Sequence, residues 1–170
     1  IGVNSLSGIT ANAQIRKAIS LACDRTTFAK SAYNGYAQAA TSPFNPQAKL
    51  AENIKIFSEE ADTATAKQAI TQSGINAKKL KLKILVNKNN NRKAAAALLK
   101  TQLEAVGFSV TIDEESTKEY TRKVKNVEFD LYIGEVKLSD DMCLYPFFDD
   151  NDGGVRYAIN NKELTCDDLY

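Results

Sequence analysis

Residues 80–136 read LKLKILVNKNNNRKAAAALLKTQLEAVGFSVTIDEESTKEYTRKVKNVEFDLYIGEV, and the fold turns on how the apolar period changes along them. Leu80, Leu82, Ile84 and Val86 fall on one face, with Lys79, Lys81 and Lys83 on the other, which is the period of a half-buried strand. After Asn87-Lys88-Asn89-Asn90-Asn91 the period becomes helical: Ala95, Leu98, Leu99, Leu103 and Val106 share a side, and Gly107 is a stop. Phe108, Val110 and Ile112 alternate again. Ser116-Thr117-Lys118-Glu119 has the form of a capping box, in which hydroxyl and carboxylate each satisfy an orphan amide, and Tyr120, Val124 and Val127 give the helix it opens a buried side. Phe129, Leu131 and Ile133 form a third strand. The stretch therefore predicts a β-α-β-α-β unit over 80–136 with short connections, the pattern of a parallel α/β sheet.

Open parallel sheets place their ligand crevice outside the carboxyl ends of the strands, where the loops diverge and helix N-termini direct partial positive charge outward. Two loops meet that condition. The first carries Asn87, Asn89, Asn90 and Arg92 at a helix start; the second carries Gly134, Glu135, Val136, Lys137, Ser139 and Asp140. A helix start disfavours a cation, so Arg92 there implies an anionic partner.

Outward toward the N-terminus, Ile15, Ala18, Ile19 and Ala22 form one stripe of an amphipathic helix. Asp24 is placed to cap a second helix that carries Phe28, Ala29 and Ala32 and ends at Asn34-Gly35. Ser42-Pro43-Phe44-Asn45-Pro46 cannot continue a helix, because each proline lacks an amide donor and pushes its predecessor extended; it reads as a surface loop. Asp62 is placed to cap a helix bearing Ala66, Ala69 and Ile70 that stops at Gly74.

At 170 residues the chain is of single-domain size, and 44% hydrophobic with 25% charged residues is the composition of a globular protein. Twenty-two basic against 21 acidic residues leave no net field to draw nucleic acid or an anionic membrane. The Lys78, Lys79, Lys81, Lys83 stripe reads as a solvated strand face; no interleaved aromatics mark it as a nucleic-acid surface. The absence of His removes Ser-His and Cys-His nucleophile pairs and the commonest transition-metal ligand. Cys23, Cys143 and Cys166 lie far apart, with no CxxC, and read as small buried hydrophobes; a Cys143–Cys166 bridge is compatible only with an oxidising compartment. An EF-hand frame begun at Asp149 puts Gly154 sixth but Asn160 twelfth, where a bidentate Glu is needed, so no metal or other cofactor is expected. No apolar run approaches the ~20 residues of a membrane span. The apolar opening Ile1-Gly2-Val3 without Met, and the helix start at Leu164 that stops at Tyr170, predict a segment of a longer chain.

Five motifs in order carry a family resemblance. Ile15-Arg16-Lys17-Ala18-Ile19-Ser20-Leu21-Ala22-Cys23-Asp24-Arg25 followed by Tyr33-Asn34-Gly35, then Ala39-Ala40-Thr41-Ser42-Pro43-Phe44, Leu82-Lys83-Ile84-Leu85-Val86-Asn87, Leu103-Glu104-Ala105-Val106-Gly107-Phe108 and Phe129-Asp130-Leu131-Tyr132-Ile133-Gly134 together resemble the family 5 extracellular solute-binding proteins, the peptide receptors of ABC importers. The resemblance covers roughly residues 1–140, and Gly153-Gly154 to Tyr157 is similar to the loop before a final lobe-crossing helix. It implies a lobe of the type II periplasmic-binding-protein kind, with a mainly parallel sheet flanked by helices. Residues 1–170 would then be one α/β lobe, the second of two that close on a peptide, with the first lobe missing and an ABC permease as partner of the full-length protein. The place is periplasmic or lipid-anchored on the extracellular face. It further implies that Arg92 occupies the position of a polar or basic side chain near the ligand carboxylate. Val136 stands where the family usually has Trp and Ser139 where it has the Asp that meets the ligand amino group, leaving Glu135 and Asp140 as replacement acids.

Two other classes compete. A cytoplasmic transcription regulator could carry the same lobe as a ligand sensor; a helix-turn-helix rather than a signal peptide before Ile1 would mark it. An α/β enzyme would need one of GxSxG, GxxxxGK[ST] or GxGxxG, none of which the sequence contains.

Overall fold

The computed structural model describes residues 1–45, 47–49, 54–135, 137, 139 and 140. Val136, the Cys143–Cys166 pair, the Asp149–Gly154 acidic run and the helix start at Leu164 lie outside the described residues.

Four strands, β1 (Gly2–Val3), β2 (Lys81–Asn87), β3 (Ser109–Glu115) and β4 (Leu131–Tyr132), form one sheet in the order β1-β4-β2-β3. β2 pairs parallel with β3 from Lys81↔Ser109 to Asn87↔Glu115, and parallel with β4 through Ile84↔Leu131 and Leu85↔Tyr132. Helix α4 (Asn90–Ala105) connects β2 to β3, and α5 (Thr117–Lys125) connects β3 to β4. The change of period along 80–136 thus produces three parallel strands. The N-terminal addition is antiparallel: Gly2 pairs with Tyr132 and Val3 with Leu131, and the Asn4 amide continues the ladder to the Asp130 carbonyl.

Helices cover both faces. Leu82, Ile84 and Val86 of β2, with Val110, Leu131 and Ile133, pack against α1 (Ala13–Ala22), α3 (Thr63–Gln72) and α4. Leu85 points the other way, into a smaller cluster with Tyr120, Val124, Phe129 and Tyr132 under α5. A strand covered on both faces has no solvated side, and so β2 loses its alternation after Lys83.

Local chemistry fixes the helix ends. Asn12 caps α1 by accepting from the amides of Gln14 and Ile15, and the Asp62 carboxylate caps α3 by accepting from Thr65. The predicted stripe Ile15, Ala18, Ile19, Ala22 is the buried face of α1. Gly74 and Gly107 end α3 and α4 at φ 68° and 113°, where a side chain would be strained.

Several expectations are corrected. The helix capped by Asp24 is only Arg25–Thr27 (α2), and it widens into a π-turn over Phe28–Ala32 before Asn34 and Gly35 reverse the chain with φ 52° and 77°. On α4 it is Ala96, fully buried, that faces the core beside Ala95 and Leu99, while Leu98 is half-buried. Ile112 alternates with Val110 but is 39% exposed, because β3 is the outer strand. The ladder of the last strand spans only Leu131–Tyr132, although Phe129 and Ile133 are buried on either side of it. Ser116 does accept the Glu119 amide, but the Glu119 carboxylate is taken by Arg122, so the capping box is half formed. The 38–45 segment does run at the surface, with Gln38, Ala40, Pro43 and Asn45 exposed, but it is tied down at its middle, where Ser42 is buried and the Thr41 carbonyl accepts from both Ile56 and Phe57.

Candidate ligand site at the strand ends

At the carboxyl end of β2, Asn87 is buried, and its Oδ1 accepts the Asn89 amide at 3.4 Å, folding the chain into the turn before α4. Asn89 then caps α4, accepting the Arg92 amide at 3.1 Å. Two of the predicted site asparagines therefore use their oxygens to build the loop, while Asn90 is exposed at the first position of the helix.

Arg92 leaves that first turn and crosses to the end of the neighbouring strand. Its Nη2 lies 2.8 Å from Oε1 of Glu135, and its guanidinium carbon sits 5.9 Å from the centre of the Tyr120 ring. The two charges that the sequence assigned to opposite ends of a ligand are bonded to each other. Their environments differ sharply: the Arg92 side chain is 14% exposed, with Nε buried and lacking an acceptor, whereas Glu135 is 78% exposed. The floor beneath them is closely packed. Tyr120 donates from its hydroxyl to the Ile133 carbonyl at 2.8 Å, and Gly134 is needed because a Cβ there would stand 2.7 Å from the Tyr132 ring and 3.1 Å from the Tyr120 oxygen.

The same edge of the sheet carries further ion pairs from the last residues of β3: Lys93 with Glu114 at 3.2 Å, and Lys123 with Asp113 and Glu115. The two carboxylates hold the Lys123 ammonium above the usual lysine range. Lys137, Ser139 and Asp140 are exposed beyond Glu135. Among the described residues no group of three metal-ligating side chains is present, and no helix is long and apolar enough to cross a membrane.

A second hollow was not foreseen. A cavity of about 760 Å³ lies beside β1, walled by Val3, Ile19, Cys23, Phe28, Tyr33 and Phe57. Its arginines are engaged within the chain: Arg16 donates to the carbonyls of Thr10 and Ala11, and Arg25 donates to that of Ser58 while stacking 4.6 Å over Phe57. Burial pushes the Arg25 guanidinium down from its usual value and the Cys23 thiol up. No residue pattern announced this cavity, since its walls come from four separated stretches, within residues 1–3, 16–33, 37–43 and 56–57. Tyr120 was legible as a buried residue but not as the support of Arg92.

The family profile for bacterial extracellular solute-binding proteins, family 5 middle region, matches residues 1–154. Among curated proteins none matches. Three crystal structures illustrate the similarity. AppA from Clostridium difficile is 27% identical with a TM-score of 0.62, over 74% of this chain and 26% of its own. The oligopeptide-binding protein AppA from Bacillus subtilis, in complex with a nonapeptide, is 21% identical with a TM-score of 0.68, over 78% of this chain and 29% of its own. NikZ from Campylobacter jejuni, in complex with Ni(L-His), is 17% identical with a TM-score of 0.75, over 92% of this chain and 34% of its own. The chain thus spans a quarter to a third of the length of the structures it matches.

Proposed function

The chain belongs to the bacterial extracellular solute-binding proteins of family 5, and from that premise we propose that it forms the second lobe of a two-lobed ABC-importer receptor that captures peptides without altering them chemically. The observation that carries the reading is the carboxyl edge of the sheet, where the Asn87 turn, the first turn of α4 and residues 133–135 converge on the Arg92–Glu135 pair. That is where an open parallel sheet exposes side chains from several elements to one ligand. The partners are the first lobe of the same protein, which closes the cleft, and the permease that receives the loaded receptor. A lipid anchor or the periplasm keeps the receptor outside the cytoplasmic membrane. The sensor and enzyme alternatives have no comparable support.

The test is calorimetry on the full-length protein with a pool of random pentapeptides and, separately, with Ni(II)–histidine. Micromolar or tighter binding of peptides is expected. Binding of the nickel complex with no retention of peptides would replace peptides by metal chelates as the ligand class.

A further inference from the structure

We infer that Lys78, Lys79, Lys81 and Lys83 form a docking surface for an anionic lipid bilayer, at the end of the sheet remote from the ligand crevice. Linear spacing makes these lysines a guard against edge pairing, but β2 is not an edge strand: it pairs with β4 on one side and β3 on the other. Central strands of parallel sheets are normally covered on both faces. Here the face that sends Leu85 into the cluster under α5 also carries Lys81 and Lys83, and these two stand exposed. Their register partners on β3, Ser109 and Thr111, are exposed too and bring no charge. Lys78 and Lys79, also exposed, lie in the short turn that leads into β2.

None of the four makes an ion pair among the described residues, whereas Arg92, Lys93, Lys100, Arg122 and Lys123 all do. The neighbouring carboxylate, Asp130, accepts with its Oδ2 from the backbone amide of Lys83 at 2.8 Å. Four positive charges thus fall within residues 78–83 of a chain whose net charge is only +1. Such a local field reaches about 8 Å at physiological salt, so it acts on a surface in contact. The kind of surface follows from the side chains. Lysines are hydrated point charges on flexible stems, suited to a diffuse array of phosphates; fixed carboxylates of a folded partner favour the planar fork of arginine, and single-stranded nucleic acid needs aromatic platforms. Residues 76–83 contain neither arginine nor an aromatic. Because the lysines precede or open β2, a bilayer meets the amino ends of the strands and leaves the carboxyl ends open to ligand. The inference needs only a receptor that works beside a membrane, whatever its ligand.

The experiment mixes the full-length receptor, free of lipid modification, with vesicles of one part phosphatidylglycerol to two parts phosphatidylcholine, and reads the bound fraction by co-sedimentation. Binding is expected to these vesicles and not to pure phosphatidylcholine, and it should be lost as salt rises from about 0.05 to about 0.5 M. Lys78→Gln/Lys79→Gln/Lys81→Gln/Lys83→Gln should weaken it tenfold or more. The two halves, Lys78→Gln/Lys79→Gln and Lys81→Gln/Lys83→Gln, should each weaken it threefold or more, which keeps the test alive if the fourfold variant does not fold. Lys17→Gln/Lys30→Gln/Lys67→Gln/Lys118→Gln makes the same change in net charge at other exposed positions and should alter binding less than twofold. Equal losses in the two fourfold variants, or no binding to the phosphatidylglycerol vesicles, would overturn the inference. So would retention on poly-L-glutamate beads without vesicle binding, which would assign the lysines to an acidic protein. Peptide affinity, measured by calorimetry on the same samples, is independent of all these outcomes, so the receptor reading stands or falls separately.

Discussion

The ring of Tyr132 lies directly against Gly2, its cross-strand partner in the β1–β4 ladder, so that any Cβ on Gly2 would overlap the ring. Gly134 approaches the same ring from the carboxyl end of the strand. Two positions without side chains thus leave room for one aromatic residue, which packs edge-on against Phe129 with centroids 4.9 Å apart. Gly2→Ala should cost about 1–3 kcal/mol, the usual penalty for forcing extra volume into a packed site. Urea denaturation reads this directly, and an unchanged midpoint would show that β1 does not hold this position in solution.

Tyr120→Phe keeps the ring under Arg92 but strands the Ile133 carbonyl, whose bond from the tyrosine hydroxyl is buried. A loss of about 1–3 kcal/mol is expected, as for an unsatisfied buried acceptor. Equal stability of the two proteins would mean that water replaces the hydroxyl.

Acid should weaken the fold in a defined window. Hydrogen bonds from Thr65 hold the Asp62 carboxyl below its usual range, and Arg122 does the same for Glu119 and Glu128. Carboxylates with lowered folded-state values contribute stability that is fully present above the ordinary value, near ~4, and is lost as pH falls through the lowered values. The denaturation midpoint should therefore hold from neutrality to about pH 5 and decline below about 4. Because these groups are exposed, the decline should be modest, and Arg122→Ala should flatten it. A midpoint that falls first between pH 7 and 5 would contradict this.

Burial raises the Cys23 thiol above its usual value, so at pH 8 it carries little thiolate and is shielded. In a Cys143→Ser/Cys166→Ser background, iodoacetamide should leave Cys23 unmodified until denaturant is added. Labelling within minutes under native conditions would show that the cavity beside it opens freely.

A cleft shared by two lobes removes the ligand from water only when both are present. Residues 1–170 alone are expected to bind the pentapeptide pool at least a hundredfold more weakly than the full-length protein. Comparable affinities in calorimetry would place the whole site within this chain.

Periodicity made the central unit legible because each of its elements is long enough to repeat a pattern. It failed where the outcome depends on neighbours. Ile112 follows the same alternation as Val110 yet lies open, since no pattern within a strand says that it will sit at the sheet edge. Gly2–Val3 is too short to show any period, and its partner, Leu131–Tyr132, is remote in sequence. At the site, Asn87 and Arg92 could be placed from their positions at a strand end and a helix start. That Arg92 would be buried beneath Glu135 depends on Tyr120 and on the packing of residues 133–135, which linear spacing does not record. Glu119 shows the same limit: the spacing to Ser116 was right, but a guanidinium three residues on competes more strongly for the carboxylate than an amide does.

Pairing residue 3 with residue 131 has a consequence for the order of events during synthesis. The first strand leaves the ribosome long before its partner, so its backbone groups wait in solvent while β2, α4 and β3 can already assemble from neighbouring sequence. Closing so long a loop is entropically expensive and gains little until β4 is seated. The sheet should therefore gain its antiparallel edge last, and slowing that step would prolong the exposure of an open β4 flank to chance pairing with other chains.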